Sequence, residues 1–127
     1  NRYASDSRVS ERALREIYLK AFRIVVKEAD VWAVMTAYNL LNGIYTSENT
    51  DLLSGILREE WGFDGLVVTD WVNWAEHYRE VLAVNNVRMP HGSPRRLKKA
   101  LECGMDGFLS KPIDIEELIN TLQKNLD

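Results

Sequence analysis

The run Leu66-Val67-Val68-Thr69 constrains this chain more than any other stretch. It shows no alternation of apolar and polar residues, so it reads as a central strand of a parallel sheet, covered on both faces, rather than a strand with one wet side. Parallel neighbours need long crossovers, usually helical, and the flanking sequence supplies them. Between residues 10 and 28, Leu14, Ile17, Tyr18, Ala21, Phe22 and Val25 recur at intervals of three and four, which places them on one helical stripe with Ser10 as N-cap. Residues 31–38 form a short strand, followed by a loop over 39–49 that contains Asn42-Gly43. Leu52, Leu53, Ile56 and Leu57 mark a second helix, closed by Trp61-Gly62.

Beyond the central run, a third helix near 73–84 leads into a weaker strand at 86–89. Ser93-Pro94 then starts a fourth helix carrying Leu97, Ala100 and Leu101, since serine caps and proline at the first helical position loses no needed N–H. Gly104 ends it. Residues 107–111 make the last strand, and Asp114 with Glu117 opens a final helix whose stripe is Ile115, Leu118, Ile119, Leu122 and Leu126. A leading helix followed by four strand-helix units, joined by right-handed crossovers, predicts an α/β fold. The expected form is a flavodoxin-like three-layer sandwich: a short, mostly parallel sheet of about four strands, with about five helices split between its faces. The 127 residues are about half of the ~250 that a complete eight-stranded α/β barrel takes, so a half-barrel-like single domain over 1–127 is expected instead.

The net charge of -3 carries no nucleic-acid or anionic-membrane footprint, and Arg95, Arg96, Lys98 and Lys99 read as a solvated helix face. The single cysteine, Cys103, cannot form an intramolecular disulfide and reads as a buried helix-end thiol. No apolar run reaches the ~20 residues of a membrane span and no signal-peptide pattern opens the chain, so the chain is expected to be cytoplasmic in an expression host, with no natural location inferred. No nucleic acid or membrane partner is expected; the one association foreseen is a homodimer through open sheet edges. His77 has no second ligand at i+4 and His91 falls in a loop, so both read as surface histidines, with no metal and no cofactor. Trp32, Trp61, Trp71 and Trp74 read as core or interface fillers.

Three stretches carry a family resemblance: Ser10-Glu11-Arg12-Ala13-Leu14-Arg15-Glu16-Ile17-Tyr18, Trp32-Ala33-Val34-Met35-Thr36-Ala37-Tyr38-Asn39, and Trp61-Gly62-Phe63-Asp64-Gly65-Leu66-Val67-Val68-Thr69-Asp70-Trp71. Over residues 1–100 the chain resembles the C-terminal portion of the barrel domain of glycoside hydrolase family 3, the β-glucosidase family. The resemblance implies that Asp70 matches the nucleophile, with Met35, Tyr38 and Trp71 around the sugar. A retaining reaction also needs a second carboxylate ~5 to 5.5 Å away, which the family takes from a second domain. The family's Lys-His sugar-binding motif, from earlier barrel strands, has no counterpart in the chain. Val72 and Val84 stand where the family has glycine, and read as substitutions made for helix propensity and packing.

A second stretch, Gly104-Met105-Asp106-Gly107-Phe108-Leu109-Ser110-Lys111-Pro112-Ile113-Asp114, resembles the end of a response-regulator receiver domain. It implies that Lys111 is a phosphoryl-contacting lysine and that Pro112 follows a cis bond. Taken together, the two resemblances predict an engineered chimera, glycosidase-derived over 1–100 and receiver-derived over 101–127, fused within the helix at 94–103. The expected product is a scaffold with no catalytic activity, in which Asp70, Met35, Tyr38 and Trp71 are vestigial. Two alternatives stand beside it: a truncated β-glucosidase-like hydrolase with Asp70 as residual nucleophile, and a receiver-like phosphate-binding module using Lys111 and Asp70.

Overall fold

The computed structural model describes residues 2–93 apart from Ala4 and Asn73, together with Arg95, Lys98 and Glu102. Lys111, Pro112, Cys103 and the last strand and helix expected from the sequence lie outside the described residues. A short strand, β1 (Asp6–Ser7), precedes the leading helix. Ser10 starts that helix as expected, its Oγ accepting from the Ala13 amide at 3.2 Å. The helix runs through α1 (Glu11–Ala13), a π-helical turn (Leu14–Tyr18) and α2 (Lys20–Glu28). In the π turn the Leu19 amide reaches back five residues to the Leu14 carbonyl, 2.8 Å away. The predicted stripe exists, but only Leu14 of it is buried; Ile17 is 68% exposed and Phe22 52%. Part of that face overhangs a cavity of about 630 Å³ lined by Leu14, Phe22, Val26, Val34 and Leu57.

Two parallel strands carry the site. β2 (Ala33–Met35) is followed by a tight hairpin, β3 (Leu40–Leu41) and β4 (Ile44–Tyr45), and later by β5 (Leu66–Val68). β2 and β5 pair in parallel with Val34 opposite Val67, and a single parallel bridge joins Val68 to Val87 on the far side. The period of two sends Val67 into a core with Leu53, Leu57, Phe63 and Ala83. It turns Ala33, Met35 and Leu66 to the exposed face, with Leu66 43% accessible. Among the described residues, therefore, this apolar run is covered on one face rather than two.

The expected sheet of about four strands is, among the described residues, two small sheets. Asn42 and Gly43 have φ of 51° and 89°, the left-handed pair that closes a two-residue hairpin. β3 and β4 are antiparallel and β1 joins β3 in parallel. The Asn42 side chain extends this sheet, its Oδ1 accepting from the Val9 amide at 2.9 Å and its Nδ2 donating to the Val9 carbonyl at 3.0 Å. The stretch expected as a loop thus carries the hairpin on which β1 pairs, with the Leu40 and Asn42 amides donating to the Ser5 and Ser7 carbonyls.

The Asp51–Glu60 helix is π-wound and buries Leu53, Ile56 and Leu57. It stops at Gly62, whose φ of 72° is the left-handed conformation a helix end calls for. Gly65 answers a different need: a Cβ there would sit 2.5 Å from the Trp32 carbonyl oxygen and 2.7 Å from Phe63 Cζ. The leading helix is clipped to this one by Arg15, which donates to both Glu60 carboxylate oxygens at 2.6 and 2.7 Å. That fork holds the Glu60 carboxyl below its usual range. Both side chains are substantially solvated, so the pair fixes register more than it adds stability.

α3 (His77–Leu82) is shorter than the predicted third helix and ends two residues before Val84, whose φ is 60°. Val84 is 38% exposed and Val72 36%. Neither is a core position, and Val84 occupies a backbone conformation that costs a β-branched L-residue roughly 1–2 kcal/mol. Val84→Gly is expected to stabilise the fold by about 1 kcal/mol, after allowing for the greater freedom of glycine in the unfolded chain. Urea unfolding checks this: the midpoint should rise, and an unchanged or lower midpoint would show that Val84 is held by packing.

Candidate active site

The carboxyl ends of β2 and β5 bring the candidate residues together. Beyond Val68, Thr69 is buried, its amide donating to the Val87 carbonyl at 2.9 Å and its Oγ1 accepting from the Met89 amide at 2.8 Å. With Thr69 tied on both sides, Asp70 emerges half-buried at the strand end, one carboxylate oxygen accepting from the Trp71 amide at 2.7 Å. The Thr36 amide donates to the Val68 carbonyl at 2.9 Å. This extends the β2–β5 pairing past Met35 and carries Tyr38 to the same end.

Hydrogen-bonding interaction with the Asp70 carboxylate, more than desolvation, pushes the Tyr38 phenol above its ordinary value. Tyr38 meets Tyr3 edge-on, ring centroids 4.9 Å apart. The Arg2 guanidinium lies 5.2 Å over the Tyr3 ring and 5.1 Å over the Tyr38 ring. A hydrogen bond to Tyr3 is the largest cause of the raised Arg2 pKa, and the Asp70 charge adds to it. Met35 and Trp71, both more than half exposed, stand at the same strand ends. The arrangement is a solvent-reached carboxylate with a phenol donor, a nearby cation and apolar side chains around it. A carboxylate so placed can attack an electrophilic carbon or stabilise positive charge developing on one.

Sequence reasoning pointed to Asp70, Tyr38, Met35 and Trp71 but missed Arg2 and Tyr3. Those two belong to no periodic pattern; the long-range pairing of β1 with β3 delivers them. His77 departs from expectation: it is buried, with its Nδ1 accepting from the Ser93 amide at 3.4 Å and its ring against Gly92. His91 is exposed as expected. Trp32, Trp71 and Trp74 lie on the surface and so do not fill the core. No group of three or more His, Cys, Asp or Glu side chains able to hold a metal occurs among the described residues. No described helix is long and apolar enough to cross a membrane.

A family model described as "Glycosyl hydrolase family 3 N terminal domain" matches residues 3–127. "Beta-glucosidase A" of Butyrivibrio fibrisolvens is 56% identical over 102 residues, covering 80% of this chain and 12% of that protein. "Probable beta-glucosidase J" of Emericella nidulans is 45% identical over 126 residues, 99% of this chain and 14% of its own length. The structure of β-glucosidase 3B from Thermotoga neapolitana in complex with glycerol superposes with a TM-score of 0.70 at 42% identity, covering 100% of this chain and 16% of that one. The chain thus spans about an eighth of the length of the curated relatives it matches.

These matches overturn the chimera. The family model extends to residue 127 and the superposed structure covers the whole chain, so one family accounts for both sides of residue 100 and no receiver-derived segment over 101–127 is needed. The engineered scaffold without activity, the receiver role of Lys111 and Pro112 and the phosphate-binding alternative fall with it. The misreading has a physical origin. A strand end followed by a capped amphipathic helix recurs in strand-helix folds generally, so such words are weak evidence of ancestry.

The raised Tyr38 pKa gives a pH signature. The fold favours the neutral phenol, so this contribution to stability is complete below the unfolded tyrosine value of about 10 and is lost as pH rises through the higher folded value. Carbon-13 NMR titration of the tyrosine rings should show Tyr38 ionising above that value. Asp70→Asn should bring it back down, whereas an unmoved titration would mean that Asp70 does not hold the phenol.

Proposed function

This chain belongs to glycoside hydrolase family 3, and from that premise we propose that it supplies the nucleophile and part of the sugar-facing wall of a retaining β-glucosidase. The observation that carries the reading is Asp70 at the carboxyl end of a parallel strand, half-buried, accepting from the Trp71 amide and raising the pKa of Tyr38. Residues at such strand ends face the site in α/β barrels. The covering of β2 and β5 on one face favours two neighbouring staves of a barrel wall over a flavodoxin-like sandwich, because a barrel keeps its helices on one side of the sheet.

In this mechanism the Asp70 carboxylate attacks the anomeric carbon, the bond to the leaving oxygen breaks, and a glycosyl ester forms that water later hydrolyses. The Tyr38 hydroxyl orients the carboxylate and is held protonated while doing so. Trp71 and Met35 offer apolar surface to the sugar ring, and Arg2, over the Tyr3 and Tyr38 rings, adds positive charge that Asp70 feels. The acid that protonates the leaving group is a second carboxyl ~5 to 5.5 Å away in retaining enzymes; the proposal assigns the nucleophile alone.

A substrate whose leaving group departs unprotonated isolates that step. With 2,4-dinitrophenyl 2-deoxy-2-fluoro-β-glucoside, mass spectrometry of digested protein should find a fluoroglucosyl ester on the peptide bearing Asp70, and none in Asp70→Asn. An unlabelled wild-type chain, or a label on another residue, would overturn the assignment.

A further inference from the structure

The segment that follows the candidate nucleophile is fastened at both ends to one three-residue stretch. At its start, Thr69 is bound through its amide to the Val87 carbonyl and through Oγ1 to the Met89 amide, at 2.9 and 2.8 Å. At its other end, the Ala75 carbonyl accepts from Arg88 Nη1 at 3.1 Å. The same nitrogen donates to Glu80 Oε2 at 2.5 Å. Glu80 is 1% exposed, and the side chains of the pair are 15% and 2% accessible. A buried carboxylate fixes the guanidinium, and the guanidinium fixes the carbonyl of a residue that is itself buried. Five residues span the interval, Asp70 and Trp71 among them. One further tie lies downstream, where the Glu76 amide donates to Glu48 Oε2 at 3.0 Å.

We propose that Arg88, held by Glu80, is a positioning residue for the segment carrying Asp70 and Trp71. It touches neither sugar nor reacting atoms; it sets where the loop closes and so where the carboxylate and indole point. The inference rests on the reading of Asp70 as nucleophile, but its geometric part stands apart from it. A displacement of about 1 Å at a reacting group can cost on the order of a hundredfold in rate, so loosening one of two ties should be felt at Asp70.

Arg88→Met alone strands a buried carboxylate and could unfold the chain. The decisive variant is therefore Glu80→Leu with Arg88→Met, in which both charges go and volume is kept. The protein is labelled with 5-fluorotryptophan and its four fluorine resonances are assigned by single Trp→Phe changes. In the double variant the Trp71 and Trp74 resonances should shift and sharpen while those of Trp32 and Trp61 stay put. The rate of fluoroglucosyl labelling at Asp70 should fall about tenfold or more. Unmoved Trp71 and Trp74 resonances, movement of all four together, or an unchanged labelling rate would each overturn the proposal. A wild-type chain that is never labelled, with the Trp71 and Trp74 shifts still seen, would sink the nucleophile reading and leave the positioning tie standing.

Discussion

The direction of β5, and with it the place of Asp70, depends on one guanidinium. Arg58 donates through Nη1 to the carbonyls of Phe63 and Gly65 at 3.0 and 2.6 Å, and through Nη2 to Asn86 Oδ1 at 2.9 Å. It lies 5.1 Å over the Phe63 ring. The same Asn86 oxygen accepts from the Val67 amide at 2.8 Å, and the Val67 carbonyl accepts from the amides of Asn86 and Val87 at 2.9 and 3.1 Å. One cation thereby ties the end of the Asp51–Glu60 helix, the turn before β5 and the segment beyond α3. The amide of Val67, a residue with no exposed surface, is satisfied by the Asn86 oxygen that the cation holds. A network so fully paired specifies one arrangement, because releasing any member leaves buried groups unmatched.

From that anchor the strand runs three residues to the candidate site. Its pairing with β2 brings Tyr38 alongside, and the hairpin at Asn42-Gly43 folds the first residues of the described chain back onto the same end. The cluster of Arg2, Tyr3, Tyr38 and Asp70 is therefore assembled from three separate stretches of sequence. The far end of β5 is built for rigidity, with Gly65 pressed against the Trp32 carbonyl. The near end leaves side chains open to solvent. This division of labour, scaffold at one end of a parallel strand and chemistry at the other, is what makes strand-helix folds hospitable to catalysis.

Much of this was legible in the sequence because local rules and tertiary structure agree. Ser10 does cap its helix, Asn42-Gly43 does turn, and Val67 does enter the core. Asp70 could be singled out because the stretch ending in Asp70-Trp71 resembles a family's nucleophile motif, and its place after an apolar strand agrees with that. Other features were illegible for identifiable reasons. The periodicity at 14–25 records which side chains share a face, not what covers that face, so the exposure of Ile17 and Phe22 could not be read from spacing. His77 looked like a surface residue because its burial depends on Gly92 and Ser93, fifteen and sixteen residues away and absent from any helical pattern. Val84 looked like a packing choice, since a positive φ leaves no trace in composition. The receiver resemblance failed because strand ends and helix caps recur wherever strands alternate with helices.

The central claim is that the Arg58–Asn86–Val67 network and the β2–β5 register together aim Asp70 at Tyr38. A crystal structure of the chain tests it at two contacts. The account predicts the Tyr38 hydroxyl within hydrogen-bond distance of the Asp70 carboxylate, and the Val67 amide bonded to Asn86 Oδ1. A β5 shifted by one residue against β2, or an Asp70 carboxylate turned away from Tyr38, would contradict it.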